Sequence, residues 1–193
     1  MEKAVDIQLM VQETPNPNAL KFVVDTPVKN GGNYTYKNAR ECDYNPLARA
    51  VFEVGPHVKE VYFFDNYITV TQDGQAAWDE LEKEIKRVIL EKIKDHDPNF
   101  SIPQPQEEVR WSAKEAPELA QINVILDQTV RPYLQMDGGD IQLVDYTNNV
   151  LRVFYQGACG SCPSGTFGTL KAIENILRDQ FNPNIVVELT DFF

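Results

Sequence analysis

Residues 95–116 constrain the fold more than any other stretch. Pro98, Pro103 and Pro105 stand there among Gln, Glu, Asp and Asn, with neither a helical nor a strand period. A stretch stiffened by proline and lacking apolar residues at regular spacing cannot join a core, and reads as a semi-extended linker. Its presence splits 193 residues into two pieces, 1–94 and 117–193, each of small-domain size. Within the linker, Trp111 is the one residue with enough apolar surface to dock it onto a domain.

In the first piece, Ile7, Leu9 and Val11 alternate with polar residues, and Leu20–Val24 resumes as a second strand after Thr14-Pro15-Asn16-Pro17-Asn18. Residues 25–44, rich in Gly, Asn, Tyr and Lys, read as a loop that carries Cys42. Asn45-Pro46 opens a short helix closed by Gly55-Pro56. Val61–Phe64 and Tyr67–Val70 form a hairpin about Asp65-Asn66. Trp78, Leu81, Ile85, Val88, Ile89 and Ile93 then mark the buried face of a long helix. A lone cysteine is usually incidental, and His57 and His96, without ligand types nearby, read as surface residues.

The second piece opens with Pro117. Leu119, Ile122, Leu126, Val130 and Tyr133 give its first helix a buried face, ending near Met136 before Gly138-Gly139. Asp137 and Asp140, flanking the glycines, read as capping and turn residues. Ile141–Tyr146 and Val150–Tyr155 form a hairpin around Thr147-Asn148-Asn149. A helix follows from Pro163 to Phe181, with Leu170, Ile173 and Leu177 on its face, and then a strand, Ile185–Leu189. The expected class is α+β: two small domains of helices and strands, the second ordered αββαβ with two helices on one face of a three-stranded sheet.

Between that hairpin and helix lies Gly157-Ala158-Cys159-Gly160-Ser161-Cys162-Pro163-Ser164-Gly165, which holds two of the three cysteines. A Cys-x-x-Cys turn brings two sulfurs close enough to hold one metal edge or to close a small disulfide. At a helix N-terminus the thiolate, the form that binds metal, is favoured. Thiolate sites for zinc or iron–sulfur clusters need four ligands, and no second Cys-x-x-Cys exists. Two copies of the chain, each giving Cys159 and Cys162, complete such a site across a two-fold axis. The small residues around the sulfurs leave a cluster exposed and exchangeable, which suits delivery more than electron transfer. A thiol–disulfide oxidoreductase, a zinc-stapled dimer and a structural disulfide are the alternatives.

Net charge is −11, with every segment acidic, so a nucleic-acid footprint is absent and anionic membrane surfaces are disfavoured. No apolar run reaches membrane-spanning length, the N-terminus lacks a secretory or transit pattern, and the cytoplasm is the expected compartment.

Met136-Asp137-Gly138-Gly139-Asp140, the hairpin and the Cys159/Cys162 loop resemble the C-terminal domain of NifU as found in Nfu-type iron–sulfur proteins. The first piece resembles the N-terminal domain of that group through Pro15-Asn16-Pro17-Asn18-Ala19-Leu20-Lys21-Phe22, Asn45-Pro46-Leu47-Ala48, Tyr67-Ile68-Thr69-Val70-Thr71 and Trp78. The resemblance implies a non-enzymatic scaffold or carrier: a [4Fe–4S] cluster ligated by Cys159 and Cys162 of each subunit of a homodimer, and passed to apo iron–sulfur proteins. Cluster-assembly proteins are then its other partners, and the first domain is an interaction module.

Overall fold

The computed structural model describes residues 7–101, 116–160 and 166–190, and the chain divides into two compact units, Met1–Ile102 and Pro103–Phe193.

The first unit is an antiparallel five-stranded sheet in the order β1-β2-β5-β4-β3, from β1 (Leu9–Glu13), β2 (Ala19–Val24), β3 (Lys29–Tyr36), β4 (Val58–Asp65) and β5 (Tyr67–Gln72). Alternation along the strands sends Leu20, Phe22, Val61, Phe63, Ile68 and Val70 to one face. There they bury against Leu47, Ala48 and Val51 of α1 (Pro46–Glu53) and Ile85 and Ile89 of α2 (Trp78–Lys92). Asn45 starts α1 by accepting from Ala48 N–H at 3.0 Å, while its amide donates to Tyr36 Oη at 2.9 Å. Trp78 Nε1 donates to Pro17 O at 2.9 Å, tying the start of α2 to the proline turn between β1 and β2.

Two features depart from the sequence reading. Residues 29–36, expected in a loop, are the edge strand β3: Tyr34 and Tyr36 pack inward, but Gly31 and Gly32 at positive φ bulge the strand and erase its period. Residues 95–100, assigned to the linker, pack on this unit. Asn30 N–H donates to Pro98 O at 2.9 Å, and the Phe100 ring lies 6.3 Å from Tyr34 and 6.1 Å from Phe63, edge-on to both. His96 is thereby half-buried rather than on the surface, its Nε2–H reaching Val28 O at 2.6 Å. His57 stays partly exposed beside Asp73. Trp111 and the remaining linker lie outside the described residues.

The second unit is a three-stranded sheet ordered β6-β7-β8, from β6 (Gly139–Thr147), β7 (Val150–Gly157) and β8 (Val186–Leu189). Asn148 and Asn149 both take left-handed φ, 53° and 64°, the geometry a two-residue hairpin needs to match strand twist. β8 pairs parallel to β7 through the crossover α5 (Thr166–Gln180). Ile141, Leu143, Leu151 and Val153 share one core with Leu119, Ile122 and Leu126 of α3 (Pro117–Thr129) and Ile173 and Leu177 of α5, so both helices cover one sheet face. The fold is α+β.

The first helix of this unit does not run unbroken to Met136. Pro132 lacks an N–H and its ring opposes the carbonyl four residues back, so the chain breaks at Val130 and restarts as α4 (Arg131–Met136). The order is therefore ααββαβ rather than αββαβ. The break also resets the helical phase: Leu134 is buried and Tyr133, expected on the buried face, is 67% exposed.

Candidate metal centre

β7 ends at Gly157, whose φ of +61° turns the chain out of the sheet into the cysteine loop. Two hydrogen bonds set the loop's first residues: Ala158 N–H to Gly138 O at 3.1 Å, and Gly160 N–H to Gly157 O at 3.0 Å. Ala158 is buried, and Cys159 is half-buried against the core of the second unit.

The double glycine shapes the space around that thiol. Gly138, at φ +80°, closes α4 and swings the chain into β6, where Gly139 pairs with Gly157. A Cβ on Gly139 would stand 2.5 Å from Cys159 Sγ and 2.7 Å from Gln156 O, closer than real side chains come. Gly139 does not need unusual backbone angles. It is glycine because the cysteine sulfur occupies the place of its side chain.

Asp140, 1% exposed, holds this turn. One carboxylate oxygen accepts from Ile141 N–H at 2.7 Å and the other from Gln135 Nε2 at 3.2 Å, with the Arg131 guanidinium 3.6 Å away. Arg131 in turn donates to Asn123 Oδ1 at 2.7 Å and approaches Asp127 at 2.9 Å, an ion pair without hydrogen-bond alignment. A buried carboxylate is tolerable only with such partners. The turn role expected of Asp140 is what it performs, as the anchor of α4 to β6. Asp137 is the C-cap of α4.

Tyr155 lies on β7 four residues before Cys159. It is 5% exposed, and among the described residues its hydroxyl has no hydrogen-bond partner. Burial, with a smaller contribution from the charge of Cys159, pushes its pKa far above the usual tyrosine value.

Of the two expected ligands, Cys159 lies in this cradle, and Cys162 lies outside the described residues. Cys42 sits in the first unit, fully buried, its Sγ–H near Asn38 O at 3.5 Å; burial pushes the thiol up to about 12, so it is inert. Among the described residues, no group of three or more His, Cys, Asp or Glu side chains could hold a metal by itself. Likewise no described helix is long and apolar enough to cross a membrane. Sequence reading missed the parts played by Gly139, Arg131 and Gln135. Arg131 and Gln135, four apart on one helix face ahead of an acidic turn, carried a signal.

What the chain resembles agrees with this division. Residues 7–96 match the family model described as scaffold protein Nfu/NifU N terminal, and residues 122–188 match the NifU-like domain. It is 30% identical over 171 residues to a protein named NFU1 iron-sulfur cluster scaffold homolog, mitochondrial, from Drosophila persimilis, a match covering 88% of this chain and 60% of that one. The Drosophila sechellia protein of the same name is 32% identical with the same coverage. The chain thus spans about 60% of the length of these relatives. Among solved structures, the NifU-like protein from Saccharomyces cerevisiae aligns over 51% of this chain and 87% of its own, at 23% identity and a TM-score of 0.45. With the Nfu/NifU N-terminal domain on the first unit and the NifU-like domain on the second, the chain belongs to the Nfu family.

Proposed function

We propose that this protein is a non-enzymatic scaffold and carrier for a [4Fe–4S] cluster, held between two copies that each contribute Cys159 and Cys162, and passed on to apo iron–sulfur proteins. The observation that carries the reading is the glycine cradle: a half-buried cysteine, given room by Gly139, with too few ligands among the described residues to complete a site. A site half-built in each chain is completed by a second chain and dissolves when the two separate, which is what delivery asks of it. The names of the relatives support the scaffold role. Cluster-assembly proteins supply the cargo, and a reducing compartment, the cytoplasm on the sequence reading, keeps the thiols available.

The cysteine loop follows β7, which is both the second strand of the β6–β7 hairpin and the first strand of the β7–α5–β8 crossover. Strand order therefore does not exclude the thiol–disulfide alternative; the scaffold names of the relatives weigh against it. The test is transfer. Protein reconstituted under anaerobic conditions, incubated with an apo-ferredoxin, should lose its visible absorption as the ferredoxin gains its own. Cys159→Ser and Cys162→Ser should abolish loading and Cys42→Ser should not. A loaded protein that never yields its cluster to any acceptor contradicts the reading, as does full loading of Cys159→Ser.

A further inference from the structure

The corner between α4 and β6 is two glycines in a row, and neither can be exchanged for a stiffer residue. Gly138 is needed for its φ of +80°, and Gly139 for the room it leaves the sulfur. Glycine restrains its own backbone less than any other residue. Yet Cys159 leans on this corner twice: Ala158 N–H donates to Gly138 O at 3.1 Å, and Sγ fills the place of a Gly139 side chain. A soft corner would let the sulfur wander, so its stiffness has to come from outside the two glycines. Gln135 and Asp140 bracket them. Gln135 Nε2 donates to Asp140 Oδ2 at 3.2 Å, which closes a staple across Gly138-Gly139 from the last turn of α4 to the start of β6. Asp140 Oδ1 accepts from Ile141 N–H at 2.7 Å, which fixes the carboxylate to the strand, with Arg131 Nη1 at 3.6 Å behind it. Asp140 is 1% exposed, so water does not compete for these contacts. Its ladder partner on β7 is Gln156, whose carbonyl oxygen also crowds Gly139.

We propose that the Gln135–Asp140 staple positions the cluster ligand: by stiffening the double-glycine corner it fixes where Cys159 Sγ stands, and so sets how long the cargo stays bound. This rests on the carrier reading of the same loop. Gln135 and Asp140 are positioning residues that act on the sulfur through the glycines. Release requires the thiolate to leave its place, and the corner must yield for it to do so. Without the staple the corner yields more easily, by up to the net contribution of one hydrogen bond.

The test uses the full chain, reconstituted under anaerobic conditions with iron and sulfide, as wild type and three variants. Gln135→Met removes the donor at nearly constant volume. Asp140→Asn keeps an acceptor for Ile141 N–H and weakens the Gln135 and Arg131 contacts. Glu174→Gln weakens the same unit between α5 and β8, away from the corner. The two corner variants should give up iron to a chelator about 2- to 10-fold faster than wild type, with altered visible circular dichroism of the bound cluster. Glu174→Gln should release at the wild-type rate in spite of its lower thermal midpoint. In cluster-free protein the Ala158 amide should exchange with solvent faster, relative to the core amides of β7, in the corner variants only. A merely structural role predicts release rates that follow the thermal midpoint across all three variants. That result overturns the proposal, as do wild-type release and wild-type Ala158 exchange in Gln135→Met, which decides alone if Asp140→Asn does not fold. Failure of wild type itself to load iron overturns the carrier reading instead, and Ala158 exchange then still decides whether the staple stiffens the corner.

Discussion

Substituting Gly139 by alanine tests the cradle at its tightest point. Ordinary contact for a Cβ begins near 3.4 Å, so at 2.5 Å from Cys159 Sγ and 2.7 Å from Gln156 O the new methyl lacks 0.9 Å and 0.7 Å of room. The sulfur can swing away; the carbonyl oxygen belongs to β7 and cannot move without opening the end of the ladder where Gly139 faces Gly157. Forcing one carbon into packed surroundings costs about 1–3 kcal/mol, and an unyielding backbone obstacle places this site in the upper half, about 2–3 kcal/mol. For a unit of this size that lowers the thermal midpoint by roughly 10–20 °C. The same change at Gly168 on α5, where nothing lies within 4 Å, should instead stabilise by about 0.5–1 kcal/mol, because alanine is the better helix residue. Scanning calorimetry on both variants reads the two signs, and iron content after reconstitution should drop for Gly139→Ala only. A Gly139→Ala protein that melts like wild type and loads a full complement of iron would refute the reasoning.

Three further outcomes follow from particular residues. Native protein treated with a maleimide at pH 8 should label at Cys159 and leave Cys42 unmodified until the first unit is unfolded by urea, since its buried thiol is held at about 12; mass mapping of the labelled peptides checks this. Glu174→Gln should destabilise the second unit by about 1–2 kcal/mol near neutral pH, because Glu174 receives Lys171 at 2.6 Å, Arg178 at 2.9 Å and Val187 N–H at 3.1 Å, the two cations being partly solvated. These partners hold its carboxyl below the usual range, chiefly the Lys171 hydrogen bond, so the gap between variant and wild type should close as pH falls below about 4. His96 has its pKa lowered, mainly by burial, so the unfolded chain takes up its proton first as pH falls below about 6.5; denaturant melts should show wild type losing more stability than His96→Gln between pH 7 and pH 5.

Much of the molecule was legible where one residue's chemistry determined a local shape. Asn45-Pro46 starts α1, Asn148-Asn149 turns the β6–β7 hairpin, and the Ile85/Ile89 and Ile173/Leu177 faces are core. Reading failed where a partner distant in sequence decides. β3 is a strand because β4 lends it a ladder, despite a glycine bulge that hides its alternation. Phe100 belongs to the first unit because an aromatic surface at Tyr34 and Phe63 receives it. Tyr133 faces out because Pro132 advances the helical phase, an effect visible in the sequence once the proline is weighed above the periodicity. At the candidate metal centre the Cys-x-x-Cys pair was visible from its spacing. The role of Gly139 was not, since a glycine needed for the absence of a Cβ looks in one dimension like a glycine needed for a turn.

The dependence of the site on two chains is tested most directly by native mass spectrometry of protein reconstituted and sprayed without oxygen, with iron and sulfide quantified on the same sample. The mass of two chains plus about four irons and four sulfides, with bare single chains carrying none, is the expected spectrum. A single chain that retains four irons on its own would contradict it.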